Sequence, residues 1–256
     1  MPIGISTLCT FGQTYKRLNE YASSGTPLIE VLDDWKDRIS REKARSLLEL
    51  ASCHGTKFTV HSPILDMNIA SANTRFRLLS IRQVKESIDH AVSIGADLVV
   101  VHPGSSSPLD DYYRGTHWEH NVASLRKIIS YAEDAGVTAA IENMPSHVRA
   151  FLKSPGEFRQ LEELGFDLKM TLDVGHANTT SNLRDFVEAF KAHIVHVHIH
   201  DNKGDYDAHM VAGKGTVDWG YLRSSLSFTK ITGIVESTSF FDATACLERA
   251  NYLFRV

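Results

Sequence analysis

The stretch ADLVVVHPG (96–104) decides how this chain is read. Four aliphatic residues in a row, Leu98 to Val101, leave no polar face, so the segment suits a strand covered on both sides, as in a parallel sheet. It stops on His102 and a Pro-Gly turn. Five other runs have the same form: TKFTVHS (56–62), GVTAAIEN (136–143), DLKMTLDVGH (167–176), HIVHVHIHD (193–201) and KITGIVES (230–237). Each ends on a histidine or a carboxylate: His61, Glu142, Asp173, His198 and Glu236. Counting His102, successive end residues are 41, 40, 31, 25 and 38 positions apart, about one strand-plus-helix unit.

The alternation extends over the whole chain. Strands are expected at 2–7, 27–32, 57–61, 97–102, 137–142, 168–173, 193–199 and 230–236. Helices are expected at 40–54, 73–94, 116–135, 155–164, 182–191, 218–227 and 242–253, with a further one near 13–23. Leu78, Ile81, Val84, Ile88, Ala91 and Val92 recur at helical spacing. Gly95, Gly136 and Gly165 follow helices as left-handed caps, and Ser154-Pro155 opens one. Eight such units predict a single α/β domain over 1–256, a (β/α)8 barrel; an open doubly wound sheet is the alternative. In a barrel all six end residues meet at the C-terminal rim. The longest irregular segments, 62–72, 103–115 and 201–217, lie on that same rim, where a substrate site is expected.

Composition narrows the classes. An apolar content of 43% with 23% charged residues is ordinary for a globular protein, and a formal charge of −4 gives no basic footprint for nucleic acid. Three isolated cysteines, Cys9, Cys53 and Cys246, read as reduced thiols. No stretch approaches the roughly 18 apolar residues of a membrane span. A cytoplasmic protein with no membrane partner is expected.

Glu142, Asp173, His198 and Glu236 form a mixed carboxylate–imidazole set suited to Mn²⁺, Zn²⁺, Fe²⁺ or Co²⁺. His61 and His102 adjoin Glu142 by strand order and form a second set with it. His176, just past a strand end, joins Asp207 and His209 of the 201–217 segment in a third. Carboxylates are seldom buried without a partner, and no lysine or arginine stands at the other strand ends, so metal is the better account. In HIVHVHIH, His196 is expected inside the barrel, and His200 as a support or substrate contact. GKGTVDW (213–219) lacks the third glycine of a dinucleotide fingerprint and reads as a tight turn.

HSPILDMNIAS, VVVHPGS, IENMP, DVGH, HIHDNKGD, DAHMVAGKG and IVES resemble, in order, the motifs of the endonuclease IV and xylose isomerase-like TIM barrels. The likeness runs from about residue 57 to 238 and implies one to three divalent ions, Zn²⁺ or Mn²⁺. By resemblance, His61, His102 and Glu142 match one metal; Glu142, Asp173, His198 and Glu236 a second; His176, Asp207 and His209 a third. In the sugar isomerases and epimerases the four-residue set persists, and its two glutamates are the acid–base pair. Ile64 stands where the repair enzymes carry an aromatic, and LIEVLDDW (28–35) is similar to the sugar-enzyme members. The first expectation is therefore isomerisation or epimerisation of a small sugar or sugar phosphate, with Glu142 and Glu236 catalytic and His200 and Lys203 binding substrate. The second is abasic-site phosphodiester hydrolysis at a trinuclear zinc centre, with DNA as partner.

Overall fold

A computed structural model describes residues 2–226 and 231–254. Eight parallel strands close a barrel in sequence order: β1 Ile3–Ser6, β2 Leu28–Leu32, β3 Lys57–His61, β4 Leu98–Val101, β5 Thr138–Glu142, β6 Met170–Asp173, β7 Ile194–Ile199 and β8 Thr232–Val235. β1 pairs with both β2 and β8, which rules out the open sheet. Around them lie α1 Leu18–Ser24, α2 Arg41–His54, α3 Thr74–Ser93, α4 Thr116–Asp134, α5 Pro155–Glu163, α6 Val174–Thr179, α7 Leu183–Phe190, α8 Trp219–Ser225 and α9 Phe240–Phe254.

Period-two alternation sorts the side chains. Ile29, Val31, Val99, Val101, Val197 and Ile199 face outward into the main apolar core with helix residues such as Leu47, Ile88 and Leu125. The inward residues are largely polar. His196 of β7 touches Glu30 of β2, and these strands are not neighbours, so the contact crosses the barrel. His196 is thus an interior residue, as expected.

The punctuation is as read. Gly95, Gly136 and Gly165 have φ of 70°, 71° and 80°, and Glu157 accepts the Ser154 backbone N–H at the start of α5. Two local expectations change. The helix expected over 13–23 begins only at Leu18. Thr14 is tied by its hydroxyl to Asp37 and Thr10, which holds Thr14–Lys16 in a separate 3-10 turn. A short helix, α6, starts directly after β6. Val174, Gly175 and Thr179 are weak helix formers, but the Asp173 carboxylate accepts the His176 N–H at 2.7 Å and caps the turn. The expected helix end at 227 and strand start at 230 lie outside the described residues.

Candidate metal centre

The strand ends bring the expected residues together. Nε2 of His102 lies 2.8 Å from Oε2 of Glu142, and Nε2 of His61 lies 3.4 Å from the same oxygen. On the other side of Glu142, Nδ1 of His198 is 3.1 Å from Oε1, 3.6 Å from Oδ2 of Asp173 and 3.7 Å from Oε1 of Glu236. A third group is built from α6 and the segment after β7. Oδ2 of Asp207 stands 3.2 Å from Nε2 of His176 and 3.0 Å from Nε2 of His209. His176 also reaches Glu142 at 3.4 Å and His209 reaches Glu236 at 3.9 Å, so all nine candidate ligands form one connected cluster.

The donor set fits divalent ions. Glu142 Oε2 is buried and faces two imidazole nitrogens, yet has no aligned hydrogen bond; Asp207 Oδ1 and His209 Nδ1 are likewise unpartnered. His61 and His176 spend Nδ1–H on the backbone carbonyls of Ser62 and Asn143, each at 2.8 Å, which leaves Nε2 of both free to donate a lone pair. Groups such as His61, His102 and Glu142, or His200, Asp207 and His209, offer donor atoms within 4.8 Å of one another.

Without metal charge, protons on imidazole balance the carboxylates. Burial disfavours the charged form of His176, but Asp173, Asp207 and Glu142 outweigh it and push its pKa up to about 10. Burial likewise opposes, and Asp207 and Glu236 drive, the rise of His209 to about 9. His198 is raised well above the ordinary range by Glu236, Glu142 and Glu30 against its burial. Glu142 is held well below it, burial notwithstanding, by His198 and His102. His102 moves the other way, because its burial prevails over the pull of Glu142.

Loop chemistry places Asp207 and His209. The buried Asp201 carboxylate accepts N–H bonds from Asn202, Gly213, Val217 and the Trp219 indole, folding 201–217 back on itself. GKGTVDW is therefore a turn around a carboxylate. A Cβ on Gly215 would stand 2.1 Å from the Asn202 carbonyl oxygen, so only glycine fits. His209 has φ 45°, a left-handed conformation that costs a non-glycine residue about 1–2 kcal/mol.

His200 is fully buried, with Nε2 3.0 Å from both oxygens of Asp173 and its ring stacked on His209 at 4.2 Å. Lys203 is exposed, and no polar contact ties it to the cluster among the described residues. Two residues outside the expected set complete the surroundings: Asp201, and Glu30, which is unexposed and touches both His196 and His198 at 3.0 Å. The signal for Glu30 was present, a carboxylate in the middle of the apolar run LIEVL.

The model of the xylose isomerase-like TIM barrel matches residues 18–252. The chain belongs to that family. An uncharacterized protein of Methanocaldococcus jannaschii, MJ1614, is 30% identical over 257 residues and covers both chains completely. A probable endonuclease 4 of Mycobacterium leprae is 30% identical over 170 residues, 62% of this chain and 64% of that one. Among solved family structures, a D-tagatose 3-epimerase-like protein superposes with a TM-score of 0.91 at 27% identity, covering 100% of this chain and 97% of that one. Endonuclease IV of Thermus thermophilus gives 0.71 at 19% identity, covering 100% and 98%, and shows the shared fold alone. No helix among the described residues is long and apolar enough to cross a membrane.

Proposed function

We propose that this chain is a metal-dependent isomerase or epimerase of a small sugar. The observation that carries the reading is the convergence of Glu142, Asp173 and Glu236 on one nitrogen of His198, at 3.1, 3.6 and 3.7 Å. A Mn²⁺ or Zn²⁺ ion held by these four residues would supply Lewis-acid stabilisation of negative charge on substrate oxygen. Glu142 and Glu236 are the acid–base pair. One takes a proton from carbon, and the other returns it. They stand on β5 and at the end of β8, so they approach the same volume from different sides of the barrel.

The space beside the cluster fits a neutral substrate. A cavity of about 250 Å³ adjoins His102, lined by residues such as Ile64, Met67, Asn68, Ser105 and Met144, with no lysine or arginine in its wall among the described residues. That favours an unphosphorylated sugar over a sugar phosphate, which calls for cationic or N–H donors. The likeness to the D-tagatose 3-epimerase-like protein supports the same class.

A second reading rests on the His176–Asp207–His209 group. Its contacts to Glu142 and Glu236 complete a nine-residue cluster that also suits phosphodiester hydrolysis at three metals. Two assays separate the readings. Metal-loaded protein incubated with a panel of ketoses in D₂O should introduce deuterium at substrate carbon. Glu236→Gln should lower that rate by roughly 10²–10⁴-fold with metal still bound. Unchanged exchange in the variant rejects the acid–base assignment. Cleavage of an abasic-site duplex, with no exchange on any ketose, establishes the second reading instead.

A further inference from the structure

Glu30 lies at the centre of β2 with no exposed surface. Its Oε2 accepts from the Thr59 hydroxyl and from Nε2 of His196, both at 3.0 Å. His196 is fixed in turn by a 2.6 Å hydrogen bond between Nδ1 and the Thr232 hydroxyl. One oxygen is thereby fully used. The other, Oε1, lies 3.0 Å from Nε2 of His198 without hydrogen-bond alignment, and neither atom has a hydrogen-bond partner among the described residues. Taking a carboxylate this far from water is costly unless it is paired, and imidazoles are what it is paired with.

The orientation of His198 differs from that of His61 and His176. His61 and His176 are anchored through Nδ1 by backbone carbonyls and turn Nε2 toward the carboxylates. His198 is backed at Nε2 by a carboxylate and turns Nδ1 toward Glu142, Asp173 and Glu236. A carboxylate behind an imidazole fixes its tautomer and makes its free nitrogen a stronger donor than a carbonyl does.

We propose that Glu30 is a positioning residue: it keeps the His198 proton on Nε2, presents the Nδ1 lone pair to the site, and makes the Glu142–Asp173–His198–Glu236 group the first to fill with metal. The inference rests on the metal-site reading above. Thr59 and His196 serve it by holding the far oxygen, so that the near one stays beside His198.

The test is a zinc titration of metal-stripped protein against a chromophoric chelator, with ¹⁵N NMR of the histidine rings in the zinc-loaded wild type. The wild type should bind its first equivalent at least tenfold more tightly than later ones, with His198 protonated at Nε2. Glu30→Gln should weaken the first equivalent by roughly 10–100-fold and leave later ones nearly unchanged. Thr59→Val, which removes one brace and no charge, should weaken it by roughly 2–10-fold; it carries the test if Glu30→Gln does not fold. A first affinity unchanged in both variants, or a His198 proton on Nδ1, overturns the proposal while leaving the metal reading intact. A wild type that binds no zinc overturns the metal reading itself, and this proposal with it.

Discussion

Gly175→Ala should destabilise the protein, although a glycine-to-alanine change inside a helix ordinarily stabilises by about 1 kcal/mol. Gly175 is the second residue of α6, pressed against the His200 ring. A Cβ there would stand 2.0 Å from Cε1, 2.4 Å from Nδ1 and 2.7 Å from Nε2. Ordinary carbon contacts are about 3.5–4.0 Å, so ring or backbone must retreat by about 1.5 Å. The ring has little freedom: Asp173 holds Nε2 at 3.0 Å through both oxygens, and His209 stacks on its face at 4.2 Å. Forced overpacking costs about 1–3 kcal/mol. Breaking a hydrogen bond to a carboxylate adds about 1.5–3 kcal/mol. After the helix gain, the net loss is about 2–5 kcal/mol, which for a domain of this size lowers Tm by about 4–20 °C. Scanning calorimetry of metal-free protein measures it. Gly156→Ala on α5 is the control, because its nearest contact is Ser154 Oγ at an ordinary 3.8 Å; its Tm should stay the same or rise. A Gly175→Ala protein that melts with or above the wild type refutes the packing argument.

Asp201→Asn turns one acceptor of the four N–H groups into a donor, at a cost of about 2–4 kcal/mol. Amide hydrogen exchange across 201–217 should accelerate, and an unchanged pattern would show that the loop is held otherwise. The metal-free protein should lose stability as pH rises. His176 and His209 have folded-state pKa values of about 10 and 9 against an ordinary 6.5, so their contribution is complete below pH 6.5 and disappears through 9–10. A Tm that rises between pH 6.5 and 10 contradicts those charge pairings. In the same proton linkage, zinc binding at neutral pH should release protons, visible as a dependence of the binding heat on the buffer's ionisation enthalpy.

The strands were legible because most are short, largely apolar runs closed by a polar residue. LVVV before His102 and TAAI before Glu142 can sit only in a sheet covered on both faces. Burial on both faces also made the ends conspicuous, since a carboxylate finishing such a run is cut off from water and needs a partner. What lay hidden was pairing across the barrel. Nothing near Glu30 in the chain says that it meets His196, 166 positions away. Asp201 was hidden for a related reason: three of its four partners are backbone N–H groups, which carry no side-chain signature. α6 escaped because VGHANT has neither the length nor the propensity of a helix, and a cap from Asp173 stabilises it. Lys203, expected to bind substrate, is exposed in the segment folded around Asp201.

The closed strand order divides the rim unequally. Candidate ligands follow every strand from β3 to β8, while the loops after β1 and β2 supply none. Those two loops carry Phe11, Lys16, Trp35 and Lys36, and α2 adds Lys43, around an open hollow. Insertions or replacements there leave each ligand where it is. Selection can therefore rewrite the loops of one quarter of the mouth without moving a candidate ligand.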